Sequence, residues 1–66
     1  MDSRTIIAIL KANGWFEVRC QGDHHQFHHP SRKGTVTVQH PDKDIPIRTV
    51  RSIERQSGLK IWKQKP

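Results

Sequence analysis

The chain has little cysteine, no long apolar run and few acidic groups, and each shortage excludes something. Cys20 is the single cysteine, so no internal disulfide can staple the fold, and such usage suits a reducing compartment. No apolar stretch approaches the roughly 20 residues of a membrane span, and Met1-Asp2-Ser3-Arg4 leads into no signal-peptide core. The expectation is a cytoplasmic protein. At 66 residues the chain is near the lower limit for folding without disulfides or metals. Its large apolar groups (Trp15, Phe16, Phe27 and the isoleucines) must nearly all be spent on the core. That leaves no room for an enclosed pocket, so a substrate binds on an open surface, which favours a polymer or another protein over a metabolite. There is no internal repeat and no linker. One domain over residues 1–66 is expected, with residues 60–66 a frayed basic tail.

Acidic groups are scarcest at the C-terminal end. Net charge is +6. Residues 1–45 carry six basic and five acidic groups, net +1, whereas residues 46–66 carry six basic groups against Glu54 alone, net +5. Such a density is an electrostatic footprint for phosphates, although a solvated helix face with a lysine-rich tail has the same composition.

Patterning gives five elements. Asp2 or Ser3 can cap a helix from Arg4 to Ala12, with Ile6, Ile7 and Leu10 on one stripe, closed by Asn13-Gly14. Trp15 to Gln21 alternates, with Phe16, Val18 and Cys20 pointing one way and Glu17, Arg19 and Gln21 the other, the period of a half-buried strand. Gly22-Asp23 is a turn, His24 to His29 a second strand stopped by Pro30, Ser31 to Gly34 a polar hairpin loop, and Thr35 to His40 a third strand rich in β-branched residues. After Pro41 to Pro46, a helix over about Ile47–Ser57 turns Val50 and Ile53 inward and Arg48, Arg51 and Arg55 outward, and Gly58 closes it. Leu59 and Ile61-Trp62 can fold back on the core. The expected fold is α+β, α-β-β-β-α: a three-stranded antiparallel sheet with both helices on one face, like the double-stranded-RNA-binding fold.

Four of the five histidines lie in Gly22-Asp23-His24-His25-Gln26-Phe27-His28-His29-Pro30. Zinc needs three or four converging ligands, but in a strand His24 and His28 stand roughly 13 Å apart at ~3.3 Å per residue. No cysteine or carboxylate cluster is evident beside them, so no metal and no cofactor is expected. Alternation puts His24, Gln26 and His28 on one face, open to a ligand, and His25, Phe27 and His29 on the other, with Phe27 in the core. Each surface histidine taken singly can be a neutral strand filler. His24 differs in following a Gly-Asp turn at a strand's first position. Imidazole titrates near neutrality and can take and give a proton. Beside a phosphodiester, that is the chemistry of RNA cleavage by the 2′-hydroxyl: a base for the nucleophile and cations for the phosphate, with no metal.

Gly14-Trp15, Gly22-Asp23-His24, Val36-Thr37-Val38-Gln39-His40, Asp44-Ile45-Pro46, Thr49-Val50-Arg51-Ser52-Ile53 and Gly58-Leu59 occur in an order and spacing that resemble the HicA family, the toxins of HicA–HicB toxin–antitoxin modules. That pattern has Gly-Trp after the first helix, Gly-Ser-His, Thr-Val-Pro-x-His, Thr-Leu-Arg-Ser-Ile and a terminal Gly-Leu, and the likeness covers about residues 3–59. It implies a double-stranded-RNA-binding-like fold. It also implies a ribosome-independent mRNA interferase that arrests growth through the histidine of Gly-Ser-His, here His24, and a HicB-like antitoxin that covers that histidine. Two positions depart from the pattern. Asp23 replaces the serine, where a carboxylate either stabilises a protonated imidazole or repels the substrate's phosphate, and the residues alone leave both open. Gln39 replaces the proline before His40, a mild change.

The sequence is thus read as a toxin endoribonuclease of mRNA with His24 as general acid/base, His25 being the alternative if the turn places the pleat one residue out. Gly22 lets the backbone approach phosphate. Gln26, His28, Arg32, Lys33, Arg48, Arg51 and Arg55 are the candidate RNA contacts. The competing readings are a non-catalytic basic RNA-binding module and a protein whose basic face meets only an acidic partner chain.

Overall fold

The computed structural model describes residues 1–62. Helix α1 (Ser3–Ala12) is followed by strands β1 (Phe16–Gln21), β2 (His24–His29) and β3 (Arg32–Gln39), and helix α2 (Ile47–Ser57) comes last. The strands form one antiparallel sheet in the order β1-β2-β3. Both helices contribute to a single core with Phe27, Val36 and Val38, all on one side of the sheet, and among the described residues no element covers the other face. This is the expected α-β-β-β-α arrangement.

Asp2, rather than Ser3, caps α1: its Oδ1 accepts from the Thr5 N–H at 2.8 Å, and that bond holds the Asp2 carboxyl below its usual range. Ser3 is helical and buried. Its hydroxyl lies 2.6 Å from His40 Nδ1 and accepts from the Asp42 N–H at 2.9 Å, tying the start of the chain to the end of β3. The buried stripe of α1 is Ile6, Ile9 and Leu10, with Ile7 only partly buried, so the expected Ile6-Ile7-Leu10 stripe is rotated by one position. On α2, Val50 and Ile53 are buried, Arg48, Arg51 and Arg55 are exposed, and Gly58 closes the helix at φ 75°.

Three expectations are corrected. β1 contributes nothing to the core: Phe16 is 48% and Val18 44% exposed, because β1 is an edge strand and a bulge interrupts its alternation between Glu17 and Arg19. Residues 31–34 are not a four-residue loop. The chain turns at Pro30-Ser31 and β3 begins at Arg32, so Arg32 and Lys33 lie in a strand. The expected fold-back is seen at Leu59 and Ile61, with Trp62 39% exposed, so the fraying expected of residues 60–66 does not hold for residues 60–62. Ile61 is fully buried, and Glu54 Oε2 accepts from the Ile61 and Trp62 N–H groups at 2.7 and 3.0 Å while Arg51 donates to Oε1 at 2.9 Å. The Trp62 and Ile61 N–H groups, with Arg51, draw the Glu54 pKa from 4.5 to about 2. The expected frayed residues Lys63–Pro66 lie outside the described residues. No described helix is long and apolar enough to cross a membrane.

Candidate functional site

The β1–β2 hairpin turns at Gly22-Asp23. Gly22 has φ 60° and Asp23 does not have positive φ, the pattern of a type II′ turn, which takes glycine at its first central position. A side chain at Gly22 would meet nothing within 4 Å, so the backbone there is open to an approaching group. His24 is the first residue of β2. In register it stands between Gln21 and Gln39, on the uncovered side of the sheet, with its side chain 61% exposed. Gln26, opposite Thr37, shares that face. So does His28, which is exposed, lies opposite Phe16 and is 3.0 Å from Thr35 Oγ1.

The two departures from the HicA pattern meet at His24. Asp23 Oδ1 is 3.7 Å from His24 Nε2, within ion-pairing range though beyond hydrogen-bond reach. Gln39 Nε2 donates to the other Asp23 oxygen at 3.2 Å, and the Asp23 carbonyl accepts from the His40 N–H at 2.8 Å. A proline at 39 has no side-chain donor for that carboxylate. Gln39 is therefore part of the site's geometry, a role that its place in the sequence does not reveal.

His25 points the other way, toward the helix side. Its side chain is 19% exposed, with Nδ1 3.1 Å from Glu17 Oε1, Nε2 3.6 Å from Cys20 Sγ, and its ring edge-on to His40 at 5.1 Å between centroids. The structure thus brings Cys20 and a carboxylate to a histidine that the sequence reading sets apart from both. The signal lies in the hairpin itself, since a two-residue turn at 22–23 sets Cys20 directly opposite His25. His29 is structural. Its Nε2–H donates to the Asn13 carbonyl and its Nδ1 accepts from the Ser31 N–H, each at 3.0 Å, which fixes the tautomer, and its ring lies against Trp15.

The cationic candidates do not gather around His24. Arg48, Arg51 and Arg55 project from α2, in the layer on the far side of the sheet from the open face. Arg51 is bound to Glu54. Arg51 and Arg55, with Leu59 and Lys60, border a shallow hollow beside that carboxylate. The Arg32 guanidinium is packed against Gly58 at the carbonyl end of α2, where a cation is favoured. Lys33 is exposed near the start of β3. Of the expected contacts, Gly22, Gln26 and His28 share the hairpin with His24; the arginines belong to the other side.

The site is a solvent-facing imidazole at a turn, beside a carboxylate held by Gln39, on an uncovered sheet face that also carries the half-exposed Phe16. It can exchange a proton with a polymer laid across that face. No curated protein matches the chain. The family model for the HicA toxin of bacterial toxin–antitoxin systems matches residues 3–59. Those residues run from the first residue of α1 through the Gly58-Leu59 close of α2, and on this match the chain belongs to the HicA toxin family.

Proposed function

We propose that the protein is a ribosome-independent mRNA interferase: an endoribonuclease toxin in which His24 is the general acid/base and which a HicB-like antitoxin silences by covering that residue. The observation that carries this reading is the placement of His24 on the uncovered sheet face, directly after the Gly22-Asp23 turn. An RNA strand lying on the face brings a ribose 2′-hydroxyl to the imidazole. His24 takes its proton, the 2′-oxygen attacks the adjacent phosphorus, and the bond to the 5′-oxygen breaks as that oxygen regains a proton. The products are a 2′,3′-cyclic phosphate and a free 5′-hydroxyl. His24 becomes a cation on accepting the proton, and the Asp23 carboxylate, steadied by Gln39, is placed to neutralise it. Of the two roles open to Asp23, this favours stabilising the imidazolium over repelling phosphate. The α2 arginines lie on the far side of the sheet and add only long-range attraction for RNA, which carries no base information, so cleavage preference is loose.

The test is induced expression of wild type beside His24→Ala, read by growth and by RNA integrity. General acid/base catalysis contributes about 10²–10⁴-fold, so the variant is expected to lose growth arrest and cleavage with an unchanged circular dichroism spectrum. Full toxicity in that variant would remove His24 from the chemistry. RNA retained in a gel shift with no shortened products from wild type would instead favour a binding module.

A further inference from the structure

Glu17, Cys20 and His25 converge on the helix side of the β1–β2 hairpin, on the opposite sheet face from His24, and the proposed RNA chemistry uses none of them. The hairpin register places Cys20 across from His25, and the bulge after Glu17 leaves Glu17 opposite Phe27 on that same side. One ligand atom from each of the three lies within 4.8 Å of the others. Cys20 Sγ is 3.6 Å from His25 Nε2. In tetrahedral zinc with Zn–S of about 2.3 Å and Zn–N of about 2.0 Å, sulfur and nitrogen stand about 3.5 Å apart. The two side chains therefore already have the spacing of one edge of such a site. Glu17 stands at the other ring nitrogen, with Oε1 3.1 Å from Nδ1. A carboxylate there accepts Nδ1–H and leaves the Nε2 lone pair directed to the thiol side, as the outer partner of a zinc-bound histidine does.

We propose that Cys20 Sγ and His25 Nε2 are the two protein ligands of a zinc site on the hairpin, with Glu17 orienting the imidazole. Thiolate and imidazole together suit zinc rather than magnesium or calcium, whose ligands are oxygens. Water supplies the third and fourth ligands that zinc needs. Cys20 is exposed, so the ion has a path in and its thiol can shed its proton to solvent as the metal binds. A bound ion ties β1 to β2 two residues from the Gly22-Asp23 turn, and so stiffens the strand end that carries His24.

Cobalt(II), a spectroscopic stand-in for zinc, is titrated into the reduced full-length protein. Wild type is expected to show thiolate-to-cobalt charge-transfer absorption that zinc abolishes. Cys20→Ser and His25→Ala are expected to lack that absorption while keeping the wild-type circular dichroism spectrum. Glu17→Ala should weaken binding about 10–100-fold, with Glu17→Gln closer to wild type because it keeps an acceptor. With free zinc tenfold above Kd about one thiol in eleven is free, so alkylation of Cys20 should slow about tenfold and recover with a chelator. No cobalt–sulfur absorption in reduced wild type, or absorption that persists in His25→Ala, would overturn the site. Neither result bears on RNA cleavage, which is read separately through His24.

Discussion

At the scale of single residues, Asp23 and Gln39 form a unit. Each departs from the HicA pattern, and the structure joins them by a hydrogen bond beside His24. The Asp23–His24 pair is solvent-exposed, and exposed ion pairs contribute about 0.2–1 kcal/mol. Asp23→Asn is therefore expected to slow RNA cleavage by no more than about fivefold, with the effect shrinking as salt is raised. Gln39→Ala should give a similar loss, and the double variant no more than either alone, since both act through one carboxylate. Cleavage rates of the four proteins at two salt concentrations decide this. A loss in Asp23→Asn as deep as that of His24→Ala would mean that Asp23 handles the proton itself. The candidate catalytic residue is legible in the sequence because a turn dipeptide sets where β2 starts and alternation sets which face its first side chain takes. Its support is not, because Gln39 lies 16 positions from Asp23 and meets it only through the β2–β3 register.

At the scale of elements, the helices and the order of strands are readable from periodicity and punctuation. α2 occupies the expected Ile47–Ser57 because Pro46 and Gly58 bound it on either side. β1 is the exception. Its Phe16/Val18/Cys20 alternation describes a half-buried strand, yet the helices pack over β2 and β3, and the bulge leaves Phe16 opposite His28 on the open face. Neither a bulge nor the lateral position of a strand has a signature in local composition. The two phenylalanines should therefore separate cleanly. Phe27 is fully buried, so Phe27→Ala is expected to cost about 3–5 kcal/mol. Phe16→Ser should cost clearly less, about 1–2 kcal/mol, because about half of that side chain is already in water. Urea unfolding of both variants checks this, and a large loss at Phe16 would mean that β1 packs more closely than its exposure indicates.

At the scale of the whole molecule, Glu54 joins the C-terminal segment to α2, and its titration gives the fold an acid-sensitive edge. The Trp62 and Ile61 N–H groups, with Arg51, hold its carboxyl at about 2 against the usual 4.5. A depressed carboxylate pKa contributes stability that is complete above 4.5 and fades as pH falls from there toward 2. Protection of the Ile61 and Trp62 amides, taken against their intrinsic exchange at each pH, should accordingly fall over that window in wild type. In Glu54→Gln it should be low already at neutral pH and flat across the window. Protection that does not change with acid in wild type would show that the segment is held by Ile61 burial alone. The molecule also has two unlike sides, a bare sheet face with His24 and a helical side with the arginines, so a partner seated on one leaves the other accessible. The bulge has a further consequence, which concerns chain length. Val18 is the supernumerary residue of β1: Glu17 pairs with Phe27 and Arg19 with the next residue back, Gln26. A chain lacking only that position would keep Phe16, Glu17, Arg19 and Cys20 opposite their present partners. Position 18 is therefore where the hairpin tolerates an in-frame loss of one codon. The same loss from β2, paired on both sides, would slip the residues beyond it past their neighbours in both ladders.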